Sequence, residues 1–566
     1  MNPIGRTLVR ALVWGALAAA TALAPAAAQV ANTKHNLSVS GPGTIKSTTE
    51  TQICIFCHTP HNARSDTSFL WNRADSTANY TTYQSSTLYA TVGQPSGASK
   101  LCLSCHDGTI ALGDVLSRST EIPFAGGVRF LPDGPTKLGT DLSDDHPVSF
   151  PYAESQSGNP SEFASPSTLT GSVKLDDSGL VQCTSCHDPH SDQYGDFLVD
   201  PNVSGSLCLT CHAPQGWTAS SHATSSKTWN GSAPDPWPHS SFNTVSENAC
   251  ESCHRPHTAG GNTQILNYAT EEDNCLACHN GNVAATDIES QVTKTFAHPV
   301  GDYTGVHDPA ETGTNMGSAH VECADCHNPH QANDATAQAP QVPGPLAGVS
   351  GVTSSGTDTA EAANTYEICY KCHADSPVVG SSITRQIPQT NTRLEFDPTN
   401  PSYHPVEQAG KNPDVPSLLP PYTTNSVIYC TDCHANDDSA GPKGPHGSIN
   451  PYLLVENYET ADYTRESAEA YALCYKCHDR NSILGDESFK KHRKHIQGEN
   501  APCSACHDPH GISSTQGNST NNTHLINFDI NIVGSHMGQR YFRDLGRFKG
   551  SCSLTCHRKK HMNKSY

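Results

Sequence analysis

The cysteines of this chain occur in twelve short clusters, and each cluster ends in a histidine. The chain has 566 residues and 24 cysteines, and the clusters use every one of them. Eleven clusters have the spacing Cys-x-x-Cys-His, and the last, CSLTCH, has one extra residue. The clusters are Cys54, Cys57 and His58; Cys102, Cys105 and His106; Cys183, Cys186 and His187; Cys208, Cys211 and His212; Cys250, Cys253 and His254; Cys275, Cys278 and His279; Cys323, Cys326 and His327; Cys369, Cys372 and His373; Cys430, Cys433 and His434; Cys474, Cys477 and His478; Cys503, Cys506 and His507; and Cys552, Cys556 and His557. Any fold for this chain must accommodate this local chemistry twelve times.

This spacing is the attachment signature of c-type haem. Cysteines at positions i and i+3 share one face of a helical turn, so both sulfurs reach the vinyl groups of one porphyrin. The following histidine is placed to ligate the iron from the same side. Zinc ribbons and redox dithiols also use paired cysteines, but neither requires a histidine after every second cysteine. The sequence predicts twelve covalently attached haem c groups, the last included, because cysteines at i and i+4 also share a helix face.

The composition argues against a large core of apolar side chains. Hydrophobic residues make up 35% of the chain, which contains 43 glycines and 39 prolines. We therefore expect mostly coil with short helices and few strands. Haem faces should form most of the core of a repeat array in which each unit packs mainly on its neighbours. Residues 466–480 are predicted to be helical, and residues 524–533 alternate like a short strand.

A second histidine follows the odd-numbered clusters, always directly after a proline. A span of three residues covers at most ~10 Å, which is too short to pass round a porphyrin and reach the far side of its iron. Each Pro-His should therefore ligate a neighbouring haem, and we expect the even-numbered partner. In the ninth cluster a longer insert precedes this residue. The six Pro-His residues are His61, His190, His257, His330, His446 and His510.

Six further histidines upstream of the odd clusters complete the predicted ligand set. Outside the N-terminal segment the chain has three methionines, so histidine must supply nearly all second ligands. Three of the six open a His-Pro-Val tripeptide. For two of the six the sequence offers an alternative, His320 in place of His298 and His492 in place of His495. The six are His35, His146, His239, His298, His404 and His495. The alternative is that these are surface or core histidines. The set would give every iron two histidines and leave His222 and His561 among the spare ones.

The order of the clusters predicts six units, each an odd cluster followed by an even one. Residues 1–28 have the charged start, apolar run and small-residue cleavage site of a secretory signal peptide. Later stretches are too short to span a membrane, so we expect an exported protein. The predicted units are 29–130, 131–225, 226–290, 291–390, 391–482 and 483–566.

The chain resembles the doubled-CxxCH multihaem c-type cytochromes of dissimilatory metal-reducing bacteria. The resemblance rests on the CHxPH clusters paired with a following LCxxCH, on the opening KHNLSVSGPGTIKS and on the closing LINFD and CSLTCHRKKH segments. It implies haem ligation by the twelve clusters, the Pro-His residues and the His-Pro-Val histidines. Such proteins carry electrons through the periplasm, across the outer membrane inside a porin, or along extracellular filaments. The implied partners are other cytochromes, a porin, or copies of the chain itself.

These features favour an electron carrier over an enzyme. Irons with two histidine ligands leave no site for a substrate and tend toward low potentials. One alternative is a reductase of nitrite, sulfite or another oxyanion, which needs one iron with an open face. Another is the subunit of a cytochrome filament. The net charge of −21 argues against nucleic acids and anionic membranes as partners.

Overall fold

The computed structural model describes residues 27–67, 69–169, 171–313, 320–375 and 383–566. Nearly all of the predicted signal peptide lies outside these ranges. Within them, no helix has the length and apolar character needed to cross a membrane.

The helices are short, and most have one or two turns. The α-helices are Ala27–Val30, Gly97–His106, Tyr152–Gly158, Cys183–Cys186, Ser221–Thr224, Val245–Asn248, Glu271–Leu276, Glu289–Val292, Thr365–His373, Thr392–Phe396, Ala472–Tyr475 and Arg480–Leu484. The 3₁₀ turns are Cys54–Phe56, Ala125–Gly127, Pro166–Thr168, Val203–Gly205, Cys208–Thr210, Trp217–Ala219, Ala249–Ser252, Cys323–Asp325, Gly344–Leu346, Cys430–Asp432, Pro451–Leu453, Cys503–Ala505 and Thr523–Leu525, and Lys494–Gly498 is a π turn. Many of these turns coincide with a cysteine cluster.

Most strands have two residues and form isolated pairs. Thr81–Thr82 pairs in parallel with Asp141–Leu142. The antiparallel pairs are Phe150–Pro151 with Leu180–Val181, Phe296–Ala297 with Gly447–Ser448, Gly351–Val352 with Asp358–Thr359, and Ser402–Tyr403 with Gly511–Ile512. The predicted fold class, mostly coil with short helices and few strands, is confirmed, and the strands form small sheets.

The C-terminal region differs because it contains a four-stranded sheet, which we name the terminal sheet. Its central strand, Gly550–Cys556, pairs with each of the other three in antiparallel register. Those three are Val533–Gly534, Tyr541–Asp544 and Lys559–Ser565. The twelfth cluster therefore lies on a strand.

Two local predictions need correction. The predicted helix at 466–480 is broken, and only Ala472–Tyr475 is helical before a separate helix begins at Arg480. The predicted strand at 524–533 begins as the 3₁₀ turn Thr523–Leu525, and only Val533 at its end pairs as a strand. In the second case Ile526 and Phe528 are buried by loop packing and Ile530 is exposed, so the period-two pattern does not correspond to a paired strand.

Buried apolar side chains form small separate clusters in the described part of the chain. The largest contain six residues, and several contain three. One of the largest lies against the terminal sheet and consists of Ala505, Ile526, Phe528, Val533, Phe542 and Leu554. Elsewhere the interior between these clusters is bordered by half-buried cysteines and histidines.

The contacts group the chain into two compact units. The first contains residues 1–215, 240–242 and 247–269, and the second contains 216–239, 243–246 and 270–566. The first five clusters belong to the first unit, and the other seven belong to the second. The six paired units remain a prediction.

Candidate haem sites

The regular clusters share a local backbone geometry. In nine of them the backbone N–H of the cluster histidine donates to the carbonyl of the first cysteine at 2.7–3.0 Å. This bond closes one helical turn and places both cysteines and the histidine on neighbouring positions of that turn. In the second and eighth clusters the same residues end longer helices, Gly97–His106 and Thr365–His373. The expected helical presentation of the two sulfurs is therefore present in all eleven regular clusters.

Most cluster histidines are oriented by a bond from one ring nitrogen to a backbone carbonyl. In each of these, Nδ1 lies 2.7–2.9 Å from the carbonyl oxygen and leaves Nε2 for a metal. The pairs are His58 with Phe69, His106 with Thr136, His187 with Asp196, His254 with Gln264, His327 with Pro345, His434 with Tyr452, and His507 with His524.

At four odd clusters the residue that supplies this carbonyl has a left-handed backbone, and so does the next residue. The pairs are Asp196 and Phe197, Gln264 and Ile265, Tyr452 and Leu453, and His524 and Leu525, with φ between 45° and 63°. Non-glycine residues adopt this conformation at a cost, so its recurrence indicates a positioning role. The sequence reasoning missed this element, although its signal is a turn followed by two or three apolar residues.

Nine cluster histidines face a second histidine ring. The ring centres are 6.0–6.3 Å apart in His58–His190, His106–His35, His187–His257, His212–His146, His279–His222, His327–His446, His373–His298, His434–His510 and His507–His492. A metal about 2 Å from the nearer nitrogen of both rings would separate the ring centres by roughly 6 Å. These pairs therefore fit an iron held between two imidazoles.

The pairing follows a rule that differs from the one expected. Four Pro-His residues lie opposite the histidine of the odd cluster two positions earlier, and none of the four lies opposite its even partner. Four histidines upstream of odd clusters lie opposite the even ones, as His35 and His146 show, whereas His492 lies opposite the odd-cluster His507. The short three-residue span between a cluster histidine and its Pro-His correctly excluded ligation of the local haem. It could not show which neighbouring haem the Pro-His would ligate.

The remaining predicted ligands have other surroundings. His61 is exposed, and no described residue places a ring opposite it. His330 faces the ring of Trp217 at 6.1 Å, and His239 is half-buried. Burial lowers the pKa of His478 to about 4, and the nearby His404 adds to this shift. His495 lies opposite a histidine outside the predicted set, at the twelfth cluster.

Two further paired histidines were not in the predicted set. His222 lies opposite His279, and His492 lies opposite His507. The sequence offered no positional signal for His222, which belongs to no Pro-His or His-Pro-Val motif. His492 stands three residues before His495, and the sequence left the choice between them open.

A Pro-His motif orients two histidines at once. The Nδ1 atoms of His35, His222 and His298 each lie 2.9 Å from the carbonyl oxygen of a Pro-His proline. These prolines are Pro189, Pro329 and Pro445, and His404 is bonded to Pro509 in the same way. A proline has no N–H but keeps its carbonyl, so the motif supplies one ring and fixes another.

Comparisons with known proteins cover different parts of the chain. A model described as outer membrane cytochrome MtrC/MtrF-like, domains II/IV, matches residues 242–400, and a model of the doubled CXXCH motif matches 178–216 and 420–482. Multiheme cytochrome MtrA of Shewanella baltica (strain OS185) is 24% identical over 208 residues, which is 34% of this chain and 43% of that protein. The chain is a multihaem c-type cytochrome. Its paired motifs indicate covalently attached haem c.

Within each compact unit, consecutive clusters of the cytochrome lie next to each other in the order of the chain. The first cysteines of the two clusters are hydrogen-bonded in the pairs Cys102–Cys183, Cys208–Cys250, Cys369–Cys430 and Cys474–Cys503. The sulfur atoms of Cys275 and Cys323 lie within 4.8 Å of each other. These contacts join even clusters to the odd clusters that follow them.

Odd clusters also lie near the even clusters that follow them, since Cys57 and Cys105 pack against one apolar cluster, and Cys506, Cys552 and Cys556 pack against another. Burial raises the pKa of the odd-cluster thiol, and the neighbouring thiol adds to the rise, in Cys57 with Cys105, Cys186 with Cys211, Cys326 with Cys372, Cys433 with Cys477, and Cys506 with Cys556. Cysteines of neighbouring clusters therefore lie close together on both sides of a cluster.

Burial keeps many histidines of the candidate sites neutral. Desolvation lowers the pKa of His279, His434, His446, His478 and His507 to about 4. A neutral imidazole has the lone pair that a metal requires. His510 differs, because burial lowers its pKa but the carboxylate of Glu395, 2.9 Å from its Nδ1, raises it above the usual value.

The twelfth cluster departs from the regular geometry. Its cysteines lie at both ends of an extended stretch of the strand Gly550–Cys556, where four residues span about 13 Å between Cα atoms. The expectation that Cys552 and Cys556 share a helix face is therefore wrong. His557 lies in the hairpin turn that follows, and its Nε2 is 2.7 Å from Asp462. The geometry that presents an attachment histidine in the other clusters is absent from this turn.

Proposed function

We propose that the cytochrome conducts electrons along a sequential array of haems, each held between two histidines. The observation that carries the proposal is the contact of consecutive clusters through their cysteines. Since each cysteine pair would hold one porphyrin, neighbouring cysteines imply neighbouring haem edges. Electrons could then pass from one haem to the next in the order of the clusters within each unit.

The proposed axial ligands are the nine ring pairs, each made of a cluster histidine and its partner. Their separations of 6.0–6.3 Å support this assignment. For His239, His330 and His404 the role of ligand stays a prediction. The number of twelve haems rests on the number of clusters in the sequence.

Two histidine ligands suit an electron carrier. They leave no coordination position for a substrate, and they favour a lower potential than a histidine and a methionine do. The protein contributes the spacing, orientation and shielding of the haems, while the haems supply the redox chemistry. The chain would therefore act as a conductor and would catalyse no reaction of its own.

We propose that the cytochrome is exported and works in the periplasm or at the outer membrane with other cytochromes. The predicted signal peptide supports export, and the match to a model of outer membrane cytochromes supports this location. The net charge of −21 suits partners with basic surfaces. A porin or further copies of the chain are possible neighbours in such a location.

The test combines two spectra of the purified holoprotein. Electron paramagnetic resonance of the oxidised form should contain low-spin signals only, and carbon monoxide should leave the reduced spectrum unchanged. His190→Ala is the positive control, because it removes the ring opposite His58 and should give one haem that binds carbon monoxide. A high-spin haem in the unmodified protein would contradict the conductor and favour a reductase with an open site.

A further inference from the structure

Three side chains of the kind that bind metals meet beside the seventh cluster. The donor atoms of His307, Glu322 and Asp325 all lie within 4.8 Å of one another, and all three residues belong to the second compact unit. The nine ring pairs that would hold haem iron do not use His307. This group therefore needs an explanation of its own.

The separations suit ligands of one ion better than direct hydrogen bonds. Nδ1 of His307 lies 3.5 Å from Oε2 of Glu322 and 3.7 Å from Oδ1 of Asp325. An N–H···O hydrogen bond has about 2.7–3.2 Å between its heavy atoms. Two ligands about 2.0–2.2 Å from one tetrahedral zinc ion lie roughly 3.3–3.5 Å apart. Small movements would bring all three donors onto a single ion.

Glu322 is the side chain that most requires a cation. It is 1% exposed, and neither of its carboxylate oxygens accepts a hydrogen bond from the residues that the structure describes. A buried carboxylate without hydrogen bonds is costly, so such groups are paired or bind a metal. The backbone N–H of Glu322 donates to Oδ2 of Asp325 at 2.8 Å, which leaves Oδ1 of Asp325 facing His307.

The nearby lysine does not balance these charges. Nζ of Lys371 is 4.0 Å from Oδ1 of Asp325, but it donates at 2.6 Å to the backbone carbonyl of the same residue. One lysine would in any case leave one of the two buried carboxylates without a counterion. A divalent cation between His307, Glu322 and Asp325 would neutralise both.

A second histidine stands next to the same carboxylate. Nε2 of His320 lies 3.7 Å from Oε2 of Glu322, and the side chain of His320 is 7% exposed. The sequence offered His320 as an alternative haem ligand to His298, but His298 lies opposite His373. Two imidazoles and two carboxylates form a donor set that suits zinc and similar transition metal ions.

We propose that His307, Glu322 and Asp325, with His320 beside them, bind one divalent transition metal ion, and that zinc is the ion this donor set fits best. The site is separate from the haem irons and goes beyond the proposed conduction of electrons. Because Glu322 and Asp325 flank Cys323, the ion would fasten the segment around His307 to the first turn of the seventh cluster.

The first experiment counts zinc in the intact holoprotein. The protein is treated with a chelator, which leaves porphyrin iron in place, and is then titrated with zinc chloride alone. Calorimetry and elemental analysis should show about one tightly bound zinc ion per chain. A holoprotein that binds no zinc would overturn the proposal and would leave the cluster as a set of buried ion pairs.

Two variants assign the bound zinc to this site. Glu322→Gln keeps the shape of the side chain and should weaken zinc binding at least about tenfold, since even residues behind the ligands change metal affinity by that factor. His307→Ala should do the same. Glu361→Gln is the matched control, because it removes an exposed acid of equal charge, and it should bind zinc normally. Unchanged zinc affinity in Glu322→Gln would overturn the proposal.

A measurement on the unmodified protein does not depend on how the variants fold. X-ray absorption at the zinc edge excludes the haem irons, which absorb at a different energy. We expect nitrogen and oxygen ligands at about 2.0–2.2 Å, with the outer-shell scattering of imidazole. Sulfur ligands at about 2.3 Å would place the zinc on cysteines and overturn the assignment. The result is independent of carbon monoxide binding, so it stands or fails separately from the haem array.

Discussion

The third and twelfth clusters hold their cysteines in opposite ways. Cys183–Cys186 forms a single helical turn flanked by buried polar side chains, Gln182 and Ser185, which are 1% and 3% exposed. The twelfth cluster lies on a sheet that covers six buried apolar side chains. Near the third cluster a haem would supply the apolar surface that the sequence lacks. At the C-terminus apolar side chains supply it, so this region depends less on its cofactor.

The largest expected effect follows from removing the attachment cysteines of the third cluster and, for comparison, those of the twelfth. Cys183→Ser with Cys186→Ser should lower the yield of folded holoprotein several-fold, because it removes a haem from the interior. The matched pair Cys552→Ser and Cys556→Ser should lower the haem content by one and leave the yield close to that of the unmodified chain. Yield and intact mass are the measurements. Equal losses of yield would show that the terminal sheet depends on its haem as much as the rest.

The next effect concerns the buried apolar side chains of the terminal sheet. Leu554 is 6% exposed in the centre of the terminal sheet, so Leu554→Ala should destabilise this region by about 2–5 kcal/mol. Leu545→Ala is the control, because Leu545 is 51% exposed and its loss should cost less than about 0.5 kcal/mol. Hydrogen exchange of the amides in the strand Gly550–Cys556 measures both. Unchanged protection in Leu554→Ala would contradict an apolar core in this region.

The sequence predicted the regular sites better than the terminal one for a physical reason. A Cys-x-x-Cys-His motif closes its own turn, so its geometry is local and visible in five residues. The second ligands come from far along the chain, as His510 does for His434, and their choice depends on tertiary contacts. The motif of the twelfth cluster is also local, but strand pairing overrides it, and the pairing involves residues on either side. His222, which lies opposite His279, was missed on the same grounds.

A smaller effect, on one haem only, should distinguish two Pro-His residues that look alike in the sequence. His510 lies opposite His434 at 6.1 Å, whereas His61 is exposed. His510→Ala should create one haem that binds carbon monoxide, which is one of the twelve that the clusters predict. His61→Ala should leave the reduced spectrum unchanged. If both variants bound carbon monoxide, the rule that a Pro-His serves the odd cluster two positions earlier would fail, because His61 has no such cluster.

The smallest effect concerns the group that orients the second histidine. His35 donates its Nδ1–H to a carbonyl oxygen, but His510 donates to the carboxylate of Glu395, also at 2.9 Å. A carboxylate acceptor makes the imidazole a more basic ligand, which stabilises the oxidised iron. Glu395→Gln should therefore raise the potential of that haem, by less than the roughly 60 mV that corresponds to a tenfold change for one electron.

The reduction potential of the same haem should also depend on pH, through the protonation of Glu395. Burial raises the pKa of Glu395 above its usual value, and the bond to His510 opposes part of that rise. As the pH falls through this pKa, the carboxylate becomes protonated and loses its effect on the ligand, so the potential should rise toward that of the variant. Voltammetry of Glu395→Gln should lack this rise. Glu456→Gln removes an exposed acid of equal charge and should keep it, which separates the contact with His510 from a general change in charge. A potential that falls in Glu395→Gln would contradict the prediction, and an equal rise in both variants would mean that the carboxylate acts through the surrounding field and not through the hydrogen bond.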